Sequence, residues 1–262
     1  MSLSRRLFTA FLVAASTLVA SPAAAQIVNV QPLIAAQQGA TDGVTVVGEG
    51  SADVRSGNTR LVSLSASALG EVRSGRHLVF LLARGDFAEK SGDPFVSKDL
   101  EHLRYRITLT GPVEAETFVQ HDRDAFRRLA LRVLVGAGPR LHLQPFAGFE
   151  AAVGAAVMLE HERLGDGPEA DAGAESDDVR LSTYLFLSTD VGPRLKLGNT
   201  TYVQPRIDRF KDVRVFNELA LIAKATEHFA VKLTFTSAYD STPPLGVIPL
   251  DTTLKGAIQV NF

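Results

Sequence analysis

The chain has 262 residues, with 27 basic and 29 acidic side chains, a formal net charge of −2, and no cysteine. That balance excludes a broad basic surface for nucleic acid, and the missing thiols exclude disulfides, thiolate catalysis and cysteine-bound metals. After Ala25 charged residues break every apolar stretch, so no run of about 18 apolar residues remains for a membrane-crossing helix, and a membrane location requires a barrel.

The N-terminus reads as an export signal. Arg5 and Arg6 form a positive start, Leu7 to Ala20 an apolar core, and Ala23-Ala24-Ala25 a cleavage site, with Gln26 the first mature residue. The apolar core is short for a membrane anchor. Residues 26–42 show no clean period and are expected to form a periplasmic lead-in. The domain is then expected to fill residues 43–262.

From Gly43 onward short alternating segments follow one another at turn signals, and twelve candidate strands emerge. The first two, near Val44–Arg55 and Thr59–Val72, flank Ser56-Gly57-Asn58. A tight turn at Ser74-Gly75-Arg76 leads to the third, near His77–Phe87. Lys90–Lys98 is expected to be a longer loop. The fourth, near Leu100–Leu109, sets Leu103, Tyr105, Ile107 and Leu109 against Arg104, Arg106 and Thr108. Gly111-Pro112 turns into the fifth, near Val113–His121, with a polar loop expected at His121–Ala125.

The sixth strand sets Leu129, Leu131, Val133 and Val135 against Arg128, Ala130, Arg132 and Leu134. Gly136-Ala137-Gly138-Pro139 is read as the opening of a turn that runs to Pro145. The seventh sets Phe149, Ala151, Val153, Val157 and Leu159 against Glu150, Met158 and Glu160. Gly165–Asp178 reads as an acidic loop. The eighth alternates Leu181, Thr183, Leu185 and Leu187 with Arg180, Ser182, Tyr184 and Phe186. The ninth, near Leu195–Ile207, contains Pro205, which is unfavourable within a sheet. The tenth and eleventh lie near Val213–Lys224 and Phe229–Tyr239.

The last segment, Asp251–Phe262, places Leu254, Gly256, Ile258, Val260 and Phe262 on one face and Thr253, Lys255, Ala257, Gln259 and Asn261 on the other. A closing strand that ends on an aromatic residue looks like the insertion signal of bacterial outer-membrane barrels, carried here by Leu254, Ile258, Val260 and Phe262. With an even strand count both termini fall on the periplasmic side. Most connections then sort by length, short inside and long outside, as such barrels do. The expected fold is an all-β, antiparallel, up-and-down transmembrane barrel of about twelve strands. Without tryptophan, the interfacial aromatics must come from Phe and Tyr, and Phe80, Tyr105, Phe149, Phe229, Phe235, Tyr239 and Phe262 are candidates.

Four motifs carry a resemblance to a known family. They are Gly57-Asn58-Thr59; Arg127-Arg128-Leu129 with Arg132 and Gly136-Ala137-Gly138; Glu160-His161-Glu162-Arg163; and Tyr239-Asp240-Ser241 with Pro243-Pro244 and Asp251-Thr252-Thr253-Leu254. In that order they resemble domain-of-unknown-function family 481, which includes salt-induced outer membrane proteins. The resemblance covers most of residues 43–262 and implies a bacterial outer-membrane barrel. It transfers no activity and no functional residue.

A barrel in lipid turns apolar side chains outward and polar ones inward. The inward charges expected to gather are Arg104, Arg106, Glu114, Glu116, Arg128, Arg132, Glu150 and Glu160. As ion pairs across neighbouring strands they would prop the barrel; as a filter they would select small solutes or ions. Glu160-His161-Glu162 lacks the spacing of a helical zinc motif, and alternation puts His161 on the opposite face. No metal or cofactor is expected.

The six histidines are scattered and G-x-S-x-G is absent. The expected function is therefore non-enzymatic: a narrow pore or a structural envelope protein. The alternatives are an outer-membrane lipid-modifying hydrolase and a soluble periplasmic β-rich binding protein. Expected partners are outer-membrane lipid, small solutes or ions, and the barrel-assembly machinery acting on the C-terminal strand. The chain is expected to be monomeric.

Overall fold

The computed structural model describes residues 42–55, 61–91 and 93–261. The export signal, nearly all of the lead-in, Ser56-Gly57-Asn58 and Phe262 lie outside the described residues. The described chain is one closed barrel of twelve antiparallel strands, each paired with its sequence neighbours and the last with the first. In order they are β1 (Gly43–Arg55), β2 (Leu61–Ser74), β3 (His77–Lys90), β4 (Asp93–Thr110), β5 (Val113–Asp124) and β6 (Leu129–Phe146). There follow β7 (Phe149–Leu164), β8 (Glu175–Asp190), β9 (Leu195–Pro205), β10 (Val213–Lys224), β11 (Phe229–Asp240) and β12 (Leu250–Asn261). One 3₁₀ turn, Ala125–Arg127, follows β5, capped by the Asp124 carboxylate.

Period-two patterning decides which face points where. On β7, Glu150, Ala152, Gly154, Ala156, Met158 and Glu160 are buried, while Val153, Val157 and Leu159 are exposed. β12 repeats the rule: Leu254 and Ile258 are 51% and 60% exposed, with Asp251 and Gln259 buried. The exposed large side chains are therefore apolar and point away from the barrel, and the buried face carries most of the charge. A soluble protein would invert that arrangement.

Both termini lie at one end of the barrel. Tight turns close that end where Gly75, Gly111 and Gly148 take positive φ (54°, 51° and 78°), a conformation that favours glycine. The other end carries the long connections, residues 165–174, 206–212 and 241–249.

Several boundaries differ from the sequence expectation. The Lys90–Lys98 loop is not a loop: β4 begins at Asp93, and a bulge between Ala88 and Glu89 absorbs the irregular register. His121 lies within β5, opposite Glu101. Gly136–Pro145 is not a turn but the body of β6, and the true turn is at residues 147–148. Its glycines serve close packing instead. A Cβ on Gly136 would sit 2.4 Å from the Phe118 ring, and one on Gly138 would sit 1.9 Å from the Ala155 carbonyl. β8 begins at Glu175, so the acidic loop is shorter than expected. Pro205 ends β9, where its missing N–H does the least damage.

Phe80 is not an interfacial aromatic. It points into the lumen at 1% exposure, packed with Val47, Leu69, Leu78, Leu82 and Leu100. Phe229, Phe235 and Tyr239 are exposed on the outward face.

Candidate functional site

The lumen is filled by side chains. Phe186 and Met158 are 0% exposed and Arg180 1%. Two large ionic groups, a smaller one around Asp86 and three apolar clusters occupy it.

The first ionic group lies between β4 and β5. Register places Arg106 directly opposite Glu116 and Arg104 opposite Phe118. Both guanidiniums reach the same oxygen of Glu116, Arg104 at 3.1 Å and Arg106 at 3.0 Å. Tyr184 donates to that oxygen from across the lumen at 3.2 Å. The Arg104 guanidinium lies 4.8 Å from the Phe118 ring centre, and Arg106 lies 5.5 Å from that of Phe80. His102 stacks between the same two rings and contacts Gln120 at 3.0 Å. Glu114 pairs with Arg140, its register partner on β6.

The second group centres on Glu160 of β7. Arg214 reaches it at 2.7 Å from β10 across the lumen, Arg180 at 3.2 Å from β8, and Arg132 at 3.8 Å from β6. Glu162 takes Arg132 at 2.9 Å and Arg214 at 3.1 Å. Arg180 continues to Asp212 at 3.0 Å and Arg214 to Asp240 at 3.0 Å. The network therefore ties strands that are not neighbours, which a row of paired ladders cannot do.

Of the eight expected lumen charges, Arg104, Arg106, Glu114, Glu116, Arg132 and Glu160 are drawn into these groups. Two are not. Arg128 is lifted to the loop end by the 3₁₀ turn and sits at φ 60°. There it bonds Asp171 at 2.6 Å and the Leu245 carbonyl at 3.0 Å. Glu150 sits near the terminal end and accepts from Gln144 at 3.2 Å. Missed by the sequence reading were Arg140, Arg180, Arg214, Glu162, Asp212 and Asp240. The inward parity of Arg180 was legible; the cross-lumen partnership with β10 was not.

Toward β1, β2 and β12 the packing changes. In the loop-end half short polar chains stand beside the charges: Ser63, Ser65 and Ser67 are half-buried, and Thr253 is exposed. Asp86 binds Ser65, Arg84 at 2.9 Å and Lys255 at 3.1 Å. Lys232 reaches Glu49 at 2.7 Å. Below this vestibule, the cluster around Phe80 and Leu69 forms an apolar floor.

His161 points outward to Asp177 at 2.9 Å, opposite in face to Glu160 and Glu162, as alternation requires. Asp99, Glu101 and His121 converge within 4.8 Å on the outward rim, where His121 bonds Glu101 at 2.6 Å and Arg123 reaches Asp99 at 3.3 Å. Among the described residues no serine hydroxyl is hydrogen-bonded to a histidine.

An apolar exterior around a charged, side-chain-filled interior, closed strand to strand, defines the fold of outer-membrane β-barrels. The chain belongs to the family described as protein of unknown function, DUF481, whose model matches residues 48–262. No curated protein matches it. Among solved structures, the translocator domain of the autotransporter NalP from Neisseria meningitidis is similar at 10% identity and TM-score 0.51, covering 88% of this chain and 92% of that one. The NanC porin gives 8% identity and TM-score 0.47, covering 84% and 98%. The KdgM porin in complex with disordered oligogalacturonate gives 6% and 0.41, covering 83% and 96%. The NalP likeness is one of fold.

Proposed function

We propose that this chain is a non-enzymatic, monomeric barrel of the bacterial outer membrane, acting as a structural element of the envelope with a lumen closed to solutes. Its termini lie at the periplasmic end, its long loops face outward, and residues 1–25 direct export. The C-terminal strand is then the segment the assembly machinery engages. The observation that carries this reading is the pairing of an apolar outer face with a lumen packed by Glu160, its three arginines and the Phe186 and Met158 side chains. Metal chemistry and hydrolysis are not part of it.

Planar-bilayer recording tests the closure. The purified barrel is expected to give no steady unit conductance. The narrow-pore reading, favoured by the charged lining at Arg104 and Arg106, requires steps instead, and a shift in ion selectivity in R104Q/R106Q.

A further inference from the structure

The apolar exterior is interrupted on β9, β10 and β11. On β9, Gly198, Thr200 and Tyr202 point into the lumen, so Asn199 and Thr201 point outward. On β10, Phe216 and Glu218 point inward, so Asn217 points outward. Register gathers these side chains. Thr201 lies opposite Asn217, and Asn217 lies opposite Ser237 of β11, which also faces outward. Among the described residues, Asn199 and Asn217 are the only side-chain amides on the outward face of the sheet.

The patch sits at mid-depth. From Val213 to Ala223, β10 covers about 33 Å along the strand, or about 25 Å across the membrane at the usual tilt, which is the height of an apolar band. Asn217 falls near the middle of that length. Val203, Val215 and Tyr239 stand on its loop-end side, and Leu197, Leu219, Leu221 and Phe235 on its terminal side. Leu185, Leu219, Phe235 and Tyr239 are large and exposed, so the shorter polar chains form a shallow dip framed by apolar ones.

Lone hydroxyls elsewhere on the outward face are satisfied within the sheet. Thr117 donates to the Gly136 carbonyl at 3.0 Å and Thr183 to that of Val203 at 2.9 Å. The asparagines are served less well. Asn217 donates to the Thr201 hydroxyl at 2.8 Å, but the two amides meet each other only at 3.3 and 3.4 Å. Asn199 reaches the Glu218 carbonyl at 3.2 Å and Asn217 that of Thr200 at 3.4 Å. Most of these bonds are long for an amide donor. Acyl chains offer neither donor nor acceptor, so a bare lipid contact leaves the amides under-satisfied.

An amide carries both a donor and an acceptor, so this patch is complementary to itself. A two-fold axis through it sets the amides of one barrel against those of another, the isologous contact of a symmetric pair. Contacts between proteins in a membrane depend on short side chains that permit close approach and on polar groups that bond across it. The dip and its asparagines supply both. No charged side chain points outward from the patch, so nothing in it selects an ionic partner.

We propose that the β9–β11 wall is the surface on which two copies of this barrel associate side by side in the bilayer, with Asn199 and Asn217 of each bonding to the same residues of the other. This refines the monomeric reading: one chain closes one barrel, and two finished barrels meet in lipid. It rests on the membrane reading above, so every sample is first checked for heat-modifiable gel mobility, which reports that reading separately.

The test uses full-length barrels in vesicles of phosphatidylethanolamine with phosphatidylglycerol. The chain lacks cysteine, so each variant adds a single thiol. Leu219 is the register partner of Asn199, and Leu103 lies on the outward face of β4. Oxidation should link L219C into dimers and leave L103C unlinked. Adding N199L/N217L to L219C should keep the barrel heat-modifiable and lose the link, because leucine suits a lipid-facing position. N199Q/N217Q keeps the amides and should retain it. A second readout places no thiol at the wall. Barrels carrying a dye at L103C should bleach in two steps, and in one step with N199L/N217L. The proposal is overturned if the L103C barrels bleach in one step, or if linking or two-step bleaching survives N199L/N217L. A photo-crosslinking amino acid at Leu219 in cells should give an adduct of two copies. An adduct with a different protein, or with lipid alone, overturns the proposal as well.

Discussion

Glu160 is the residue on which the second ionic group turns. Three guanidiniums from three strands converge on one buried carboxylate. Removing one partner from such a group leaves unpaired buried charge, typically at a cost of about 3–5 kcal/mol. E160Q keeps the shape and removes the charge, so it should lower the urea midpoint in detergent by a margin of that size. E150Q, whose carboxylate meets a neutral amide, should cost less than about 1 kcal/mol. Equal midpoints for the two variants would refute the hub.

Asp171 gives a pH-dependent counterpart at the loop end. The backbone N–H of Leu245 and the Arg128 guanidinium hold its carboxyl below the usual carboxylate range. A carboxyl whose folded value is depressed stabilises the folded state above the unfolded value and loses that contribution as pH falls through the folded one. The clasp between residues 165–174 and 241–249 should therefore hold at neutral pH and release in strong acid. Protease nicking of these loops should rise as pH drops below about 4, and D171N should show the acid level of nicking at neutral pH.

β6 shows why an element boundary can mislead. Gly136, Gly138 and Pro139 carry the composition of a turn. In the sheet Gly136 and Gly138 sit mid-strand where the Phe118 ring and the β7 backbone come too close for a Cβ. Glycine has the same letter in both roles, and only the neighbour across the strand distinguishes them. G138V should therefore fail to give a heat-modifiable barrel, whereas G75A, in an open turn, should fold with a modest loss. The same limit applies at Lys90–Lys98, where Gly-Asp-Pro suggests a loop but the β3 ladder continues through a bulge.

Across the whole molecule, closure of the sheet gives every strand a neighbour on each side, and several ladders stop short of their strand ends, among them β1 with β12 over Val47–Gly50 and β8 with β9 over Thr183–Asp190. Folded barrels of this kind should migrate faster on unheated gels than after boiling. A single band, unmoved by heat, would refute the membrane barrel.

Alternation along each strand pointed to the barrel class, to about twelve strands and to the inward parity of Arg104, Arg106, Arg132 and Glu160. Those properties depend on a period of two residues, which is written locally in the chain. Whether the lumen is open, which arginines meet Glu160, where Arg128 goes and how far β1 zips to β12 depend on strands brought together from distant sequence. Shear and curvature of the closed sheet set those distances, and no local pattern encodes them.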